Sequence, residues 1–164
     1  MTWDMRELDD LLAGDVEDVI ERARSVAGRE RSAALRDVLW RLETEGEILP
    51  RLKLLLFIQA SLATVDDGKL AASIAERAAQ ELSRVVISAV EPIDLKVPAL
   101  DALALLFLKA RELTTDADRR VRSAFRVARE LTNPQLSSFA RSALAAGGVL
   151  SRRRVQTLYR HATW

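Results

Sequence analysis

Apolar residues recur at intervals of three and four along most of this chain, the spacing that places side chains on one face of an α-helix. Met5, Leu8, Leu11 and Leu12 form the first such set. Eight further segments follow, each separated from the next by a short polar break. The nine predicted helices start at about Asp4, Asp15, Arg31, Pro50, Gly68, Asp94, Asp116, Pro134 and Ser151.

Several of these starts carry a residue that favours helix initiation. Asn133 followed by Pro134 is the clearest, since asparagine caps free N–H groups and proline suits the first helical position. Asp66 or Asp67 can cap the fifth helix, and Asp116 the seventh. Glycines at 14 and 28 and the pair at 147–148 are expected to end helices. The pattern contains no convincing strand, and no linker is long enough to divide residues 1–164 into two domains.

Two segments are apolar nearly all round rather than on one face. They are Leu54–Ile58 in the fourth predicted helix and Ala102–Leu108 in the sixth. A helix of this kind is buried on every side, so both are expected at the centre of the molecule. Short breaks between helices also predict that consecutive helices pack side by side and antiparallel.

Composition supports an all-α class. Glycine (6 residues), proline (4) and aromatics (5%) are scarce, and good helix formers dominate. The chain has no cysteine, which excludes disulfides, thiolate catalysis and cysteine-ligated zinc. The apolar runs are far shorter than the roughly 20 residues of a membrane span, and the first residues lack a secretory layout. These features predict a cytoplasmic protein with no membrane partner.

A five-residue string occurs twice. Ala-Arg-Glu-Leu-Thr stands at 110–114 and again at 128–132, and a shorter version begins at Ala23. Each copy runs into a turn and a new helical segment. This arrangement resembles the HEAT-like α-solenoid repeats, over about half the chain.

That resemblance implies an α-α superhelix of stacked antiparallel helical hairpins, in which each hairpin shares its core with the next. A compact irregular helical bundle is the alternative, and the two helices that are apolar all round favour it. Either architecture contains about nine helices. A scaffold of this kind offers its surface to another macromolecule.

Charge is divided unevenly along the chain although the net charge is only +1. Residues 119–164 contain ten arginines and one glutamate, a net charge of +9. Residues 1–118 carry a net charge of −8. This division is the strongest functional signal in the sequence.

The basic residues form two groups. Arg119, Arg122, Arg126 and Arg129 fall on one face of the seventh helix, opposite its apolar face, and should form an exposed ridge. Arg152-Arg153-Arg154 stand at the start of the last helix, where the helix dipole disfavours positive charge. Their placement there indicates an anionic partner.

Three interpretations of these arginines remain open. The first is a noncatalytic scaffold that binds another protein or a second copy of itself, acidic end to basic end. The second is nucleic-acid binding through the basic C-terminal third. The third is a helix face that contacts only solvent.

Catalytic motifs are absent from the sequence. His161 is the only histidine and stands three residues from the end of the chain, and the acids Glu43, Glu45 and Glu47 lack the histidine partner of a dimetal site. No phosphate-binding glycine loop or nucleophile elbow occurs. We therefore predict no enzymatic activity, metal or cofactor, and an enzyme with an unrecognised carboxylate site remains the alternative.

The aromatic residues are predicted mainly as structural. Phe57, Phe107, Phe125 and Phe139 stand in apolar stripes and are expected in the core. The tryptophans at 3, 40 and 164 are either interface anchors or residues that close helix ends. Tyr159 and Trp164 provide little aromatic surface on which the bases of a single strand could stack.

Overall fold

The computed structural model describes residues 2–161, without the side chains of Arg160 and His161. In that range the chain forms nine α-helices and one small sheet, so the predicted all-α class is confirmed. The elements are α1 Met5–Ala13, α2 Val16–Ser25, α3 Gly28–Thr44, α4 Ile48–Ala63, α5 Ala72–Ile87, α6 Ile93–Lys109, α7 Thr115–Arg129, α8 Pro134–Ala143, β1 Leu144–Ala145, β2 Val149–Leu150 and α9 Arg152–His161.

The helices pack as stacked hairpins in two layers. One layer is α1, α3, α5 and α7, each in contact with the next, and the other is α2, α4, α6 and α8. Each odd-numbered helix also contacts the even-numbered helix that follows it. The last helix, α9, packs against α6 and α8. This alternation arises because short connections return the chain beside the helix it has just completed.

The two helices that are apolar all round occupy the middle of the stack, as their pattern predicts. Leu54, Leu55 and Ile58 in α4 are almost fully buried, and so is nearly every residue of α6 from Leu95 to Leu106. α6 contacts α4, α5, α7, α8 and α9. A helix with neighbours around most of its surface has little room for solvated polar side chains, which explains its largely apolar composition.

Three predicted helix starts are confirmed by side-chain caps. Asp4 accepts a hydrogen bond from the backbone N–H of Arg6 at 3.0 Å. Asn133 accepts one from Leu136 at 3.1 Å, immediately before Pro134. Ser151 accepts one from Arg154 at 3.3 Å. These caps are local in sequence, and for that reason sequence reading finds them.

Other boundaries differ from the prediction. α7 is capped by Thr114, whose Oγ1 accepts from the Ala117 N–H at 3.1 Å, and not by Asp116. α5 starts at Ala72 instead of Gly68, because Leu70 forms a parallel bridge with Ala110. That bridge needs extended backbone, and its partner lies forty residues further along the chain.

The expectation that the chain has no strand is wrong in one place. After α8 the chain forms a short antiparallel pair, in which Leu144 pairs with Leu150 and Ala145 with Val149. Gly147 and Gly148, expected to end a helix, form the turn between these strands, with φ of 79° and 74°. Left-handed backbone of this kind favours glycine over other residues.

The repeated string marks the ends of two successive helices. Ala110 and Ala128 are buried, at the end of α6 and near the end of α7. Leu113 and Leu131 are partly buried and pack against the core. The string therefore brings the chain out of a helix while keeping two apolar side chains in contact with the interior.

The aromatic side chains divide between core and surface. Phe57 and Phe125 are fully buried, and Phe107 and Phe139 are partly buried. Trp3 closes the first helix against the core: its Nε1 donates to Asp37 at 2.8 Å, and its ring centroid lies 5.6 Å from that of Phe57. Among helices in the described range, none combines the length and apolar content needed to cross a membrane.

Candidate partner-binding surface

The arginines of α7 lie on the face opposite the buried side chains of that helix. Arg119 and Arg126 are exposed, whereas Arg122 and Arg129 are partly covered. The expected ridge therefore exists, but it is open to solvent only in part.

The small β-hairpin covers the middle of this ridge. Arg122 Nη1 donates to the carbonyl of Leu150 at 3.4 Å, and Arg126 Nε donates to the carbonyl of Gly148 at 3.3 Å. Gly148 lies so close that a Cβ atom there would be 3.2 Å from Arg129 Nη1. Backbone carbonyls of a tight turn need donors, and these guanidinium groups supply them. The ridge thus has a structural role that the sequence pattern did not reveal.

Acidic residues neutralise part of the ridge. Asp116 forms ion pairs with Arg119 and Arg120, and Asp118 accepts from Arg122 Nε at 2.7 Å. The hydrogen bond from Arg120 holds the pKa of Asp116 below its ordinary value. Both acids stand just before residue 119, so the net charge summed over residues 119–164 does not include them. Their spacing of three and four residues from the arginines could have identified the pairs.

Phe107 joins the two arginine groups into one surface. The guanidinium carbon of Arg122 lies 6.0 Å from the centroid of the Phe107 ring, and that of Arg152 lies 5.9 Å from it. Arg152 Nη2 also donates to the Phe107 carbonyl at 3.1 Å. That carbonyl belongs to the last turn of α6, where carbonyls have no helical partner. Sequence reading placed Phe107 in the core and missed this contact.

Two of the three arginines at the start of α9 donate to backbone carbonyls of other elements. Arg152 caps the end of α6, and Arg154 Nη1 donates to the carbonyl of Leu144, just after α8, at 3.1 Å. Helix C-terminal ends carry partial negative charge, which offsets the unfavourable position of these cations at a helix N-terminus. Arg153 differs: it is exposed, and within the described residues its side chain has no hydrogen bond or ion pair.

The two groups together form a surface that we call the arginine patch, composed of Arg119, Arg122, Arg126, Arg129, Arg152, Arg153 and Arg154. Within the part of the chain that the structure describes, four of its members have no carboxylate partner: Arg126, Arg152, Arg153 and Arg154. A hydrogen bond to a carbonyl leaves the positive charge in place and uses one of five guanidinium donors. The patch therefore presents charged N–H donors of the kind that carboxylate and phosphate groups accept from.

The other candidates from the sequence do not join this surface. The Tyr159 hydroxyl donates to the backbone carbonyl of Asp101 at 2.7 Å, which directs the ring toward α6. Trp164 and the side chain of His161 lie outside the described residues. Among those described, no three histidine, cysteine, aspartate or glutamate side chains come together as metal ligands.

Comparison with known proteins adds no assignment. No protein-family model matches the chain, and no curated protein or solved structure is significantly similar to it.

Proposed function

We propose that this protein is a noncatalytic HEAT-like helical-repeat scaffold whose arginine patch binds an acidic segment of a partner protein. The observation that carries the proposal is the set of four arginines without a carboxylate partner in the described residues, grouped around one hairpin and the start of α9. Arginine is suited to this task because its planar fork matches the geometry of a carboxylate.

The contacts inside the patch favour binding because they order the side chains beforehand. Arg126, Arg152 and Arg154 are each held by a backbone carbonyl, at 3.1–3.3 Å. Ordering a long flexible side chain on association costs roughly 0.5–1.5 kcal/mol, and part of that cost is already met in the free protein. The Arg153 side chain makes no hydrogen bond or ion pair in the described range, so it can adjust its conformation to the partner.

The patch suits an acidic peptide better than a single-stranded nucleic acid. Base recognition on single strands relies on exposed aromatic rings. The Phe107 ring lies beside the patch, but Arg122 and Arg152 already contact it. Binding to nucleic-acid phosphates alone is the competing function, and a titration with DNA detects it.

A second copy of the chain is a specific candidate for the acidic partner. α1 and α2, the first helices of the two layers, carry exposed acids, whereas the arginine patch lies on α7 and the start of α9. These acids include Asp9 and Asp10 in α1, Asp15 just before α2, and Glu17, Asp18 and Glu21 in α2. An acidic end that meets the basic end of another copy makes a head-to-tail contact. Screening by salt would weaken such a contact.

The test is a fluorescence-anisotropy titration with a labelled hexaglutamate peptide and with mixed-sequence DNA at low and moderate salt. Arg153→Glu removes a cation that does not support the fold. Arg36→Glu is the matched control, since Arg36 is exposed on α3 and lacks any side-chain ion pair in the described region. We expect Arg153→Glu to weaken peptide binding by at least about tenfold, because it places like charges together, and Arg36→Glu to change it less than about twofold.

Three results would contradict the proposal. Equal losses in both variants would show that net charge alone drives binding, and no peptide binding at low salt would exclude the acidic partner. Tighter binding of DNA than of peptide, with a steep salt dependence, would assign the patch to nucleic acid. Sedimentation of the unlabelled protein at low salt then identifies the partner, since a mass above the monomer that falls on adding salt indicates a second copy.

A further inference from the structure

A cleft lies between α4, α6 and the beginning of α8, formed by residues outside the arginine patch. Its volume is about 310 Å³. Leu52 and Leu56 of α4 line it on one side, and Val97 and Pro98 of α6 line it on the other. This volume is at the lower end of the range of small-molecule sites, and apolar walls with a few polar groups are typical of them.

Asp101 is the unusual residue of this cleft. It lies in the middle of α6 with 7% of its surface exposed, and it lines this cleft and a smaller neighbouring one. Gln59 Nε2 donates to its Oδ2 at 3.2 Å. No arginine or lysine in the described part of the chain pairs with its carboxyl group. Burial disfavours an ionised carboxylate unless a cation pairs with it, so the ionised form of Asp101 favours a cationic ligand in this cleft.

The remaining polar residues of the cleft also favour a cationic ligand. Asp94 lies seven residues before Asp101, on the same face of α6, and is exposed. Gln59 and Gln135 add amide groups from α4 and α8. Two carboxyl groups disfavour an anion, and the apolar walls disfavour a fully hydrated metal ion. A cation attached to an apolar stem satisfies both parts of the lining.

We propose that this cleft binds a primary ammonium group carried on a short apolar stem, with Asp101 as its counter-ion. The stem lies against the leucine and proline side chains of the walls. Such a group occurs on a free alkylamine and on the lysine side chain of a protein partner. The site is independent of the arginine patch, so each can fail without the other.

Binding of a cation here is coupled to the loss of a proton. Burial raises the pKa of Asp101 to about 7, and the hydrogen bond from Gln59 opposes this rise. The groups that face it are Gln59 from α4, Gln135 from α8, Asp94 on its own helix and the Tyr159 hydroxyl from α9. An ammonium group pairs only with the ionised carboxylate. Affinity therefore rises as the pH passes through the pKa of Asp101.

The experiment is a titration of the ¹⁵N-labelled full chain with n-pentylamine, followed by NMR at pH 6 and pH 8. We expect chemical-shift changes at residues of the cleft and a Kd about tenfold lower at pH 8, because the ionised fraction of Asp101 rises about tenfold over that interval. 1-Pentanol, which has the stem without the charge, should bind more weakly and without pH dependence. Nα-acetyl-lysine N-methylamide, whose ε-ammonium group is free, tests the peptide source, and binding by it as tight as that of pentylamine assigns the site to a lysine side chain.

Two variants make the result decisive. Asp101→Asn keeps the shape and removes the charge, so it should fold, lose the pH dependence and weaken binding at pH 8 by about tenfold or more. Asp94→Asn, at an exposed position, should weaken binding by a smaller factor. Asp66→Asn, at an exposed position between α4 and α5 and away from the cleft, is the matched control and should leave binding unchanged. Unchanged binding in Asp101→Asn, a Kd independent of pH, or shift changes away from the cleft would overturn the proposal.

Discussion

Buried polar side chains in this protein differ in how each is compensated. Lys53 donates to the carbonyls of Leu12 and Gly14 at 2.9 and 2.7 Å, at the end of α1, which balances its charge. Glu81, 2% exposed, pairs with Arg84 at 2.9 Å. Asp101 has only the amide of Gln59. Burial therefore acts on Asp101 with little opposition, and its pKa is raised to about 7.

This raised pKa makes stability depend on pH in a predictable direction. The folded protein holds a proton on Asp101 up to about pH 7, whereas the unfolded chain releases it near pH 3.9. Protonated Asp101 therefore makes its full contribution to the free energy of unfolding below about pH 3.9, and this contribution is lost as the pH rises through about 7. Relative to Asp101→Asn, the wild-type free energy of unfolding should fall between pH 4 and pH 8 by at most about 4 kcal/mol. Urea unfolding of both proteins across this range measures the difference, and a difference that does not change with pH would contradict the assignment.

At the scale of elements, the C-terminal hairpin and α9 are held largely through side-chain-to-backbone contacts. Arg122 and Arg126 of α7 reach the hairpin, and Arg152 and Arg154 of α9 reach the ends of α6 and α8. Each of these bonds satisfies a carbonyl that lacks a partner within its own helix or strand. The same residues thus dock the last elements and present positive charge.

Substitutions at Arg152 and Arg153 distinguish the docking of α9 from the presentation of positive charge. Arg152→Met removes the cap on α6 and the contact with Phe107, so it should destabilise the docking of α9 by about 1 kcal/mol. Arg153→Met should leave docking unchanged, because within the described residues that side chain bonds to nothing. Hydrogen exchange of the α9 amides tests both variants. Equal acceleration of exchange in the two would show that charge repulsion, and not the specific contacts, governs α9.

At the scale of the whole molecule, α6 links both layers of the stack and the last helix. It contacts five other helices, and its buried side chains belong to one continuous cluster that runs from Leu8 to Val155. In a stack of hairpins, each unit depends on its neighbours for its core. Loss of packing in α6 should therefore affect distant helices together.

Leu103→Ala tests this dependence. Leu103 is fully buried in α6, and its truncation should lower the free energy of unfolding by about 3 kcal/mol through lost burial and a cavity. Tryptophan fluorescence, which includes Trp3 beside Phe57, and far-ultraviolet circular dichroism should show the same shifted transition. Val90→Ala, at an 88% exposed position, is the control and should change stability by less than about 0.5 kcal/mol. Separate transitions for the two probes would indicate that the hairpins unfold independently.

Helix starts that depend on local signals could be predicted from the sequence, whereas a start that depends on a distant contact could not. The starts at Asp4, Asn133 and Ser151 follow from a side chain that bonds to its own helix two or three residues later. The start of α5 depends on the bridge from Leu70 to Ala110, and no pattern near Gly68 contains that information. In the candidate surface, the arginines were found from spacing alone, whereas Phe107 and the carbonyl partners were not.

The sequence by itself determined the helical class, the buried faces, the central position of α4 and α6, and the division of charge between the two ends, because these depend on periodicity and composition. Only the tertiary structure decided which arginines are neutralised and which remain available. It also decided that Asp101 lies in a cleft in which no lysine or arginine of the described residues pairs with its carboxyl group. The reason is physical: backbone carbonyls are common to all residues and leave no mark in the sequence, and the deciding partners are distant. Arg152 bonds to a carbonyl 45 residues away, and Gln59 to a carboxylate 42 residues away.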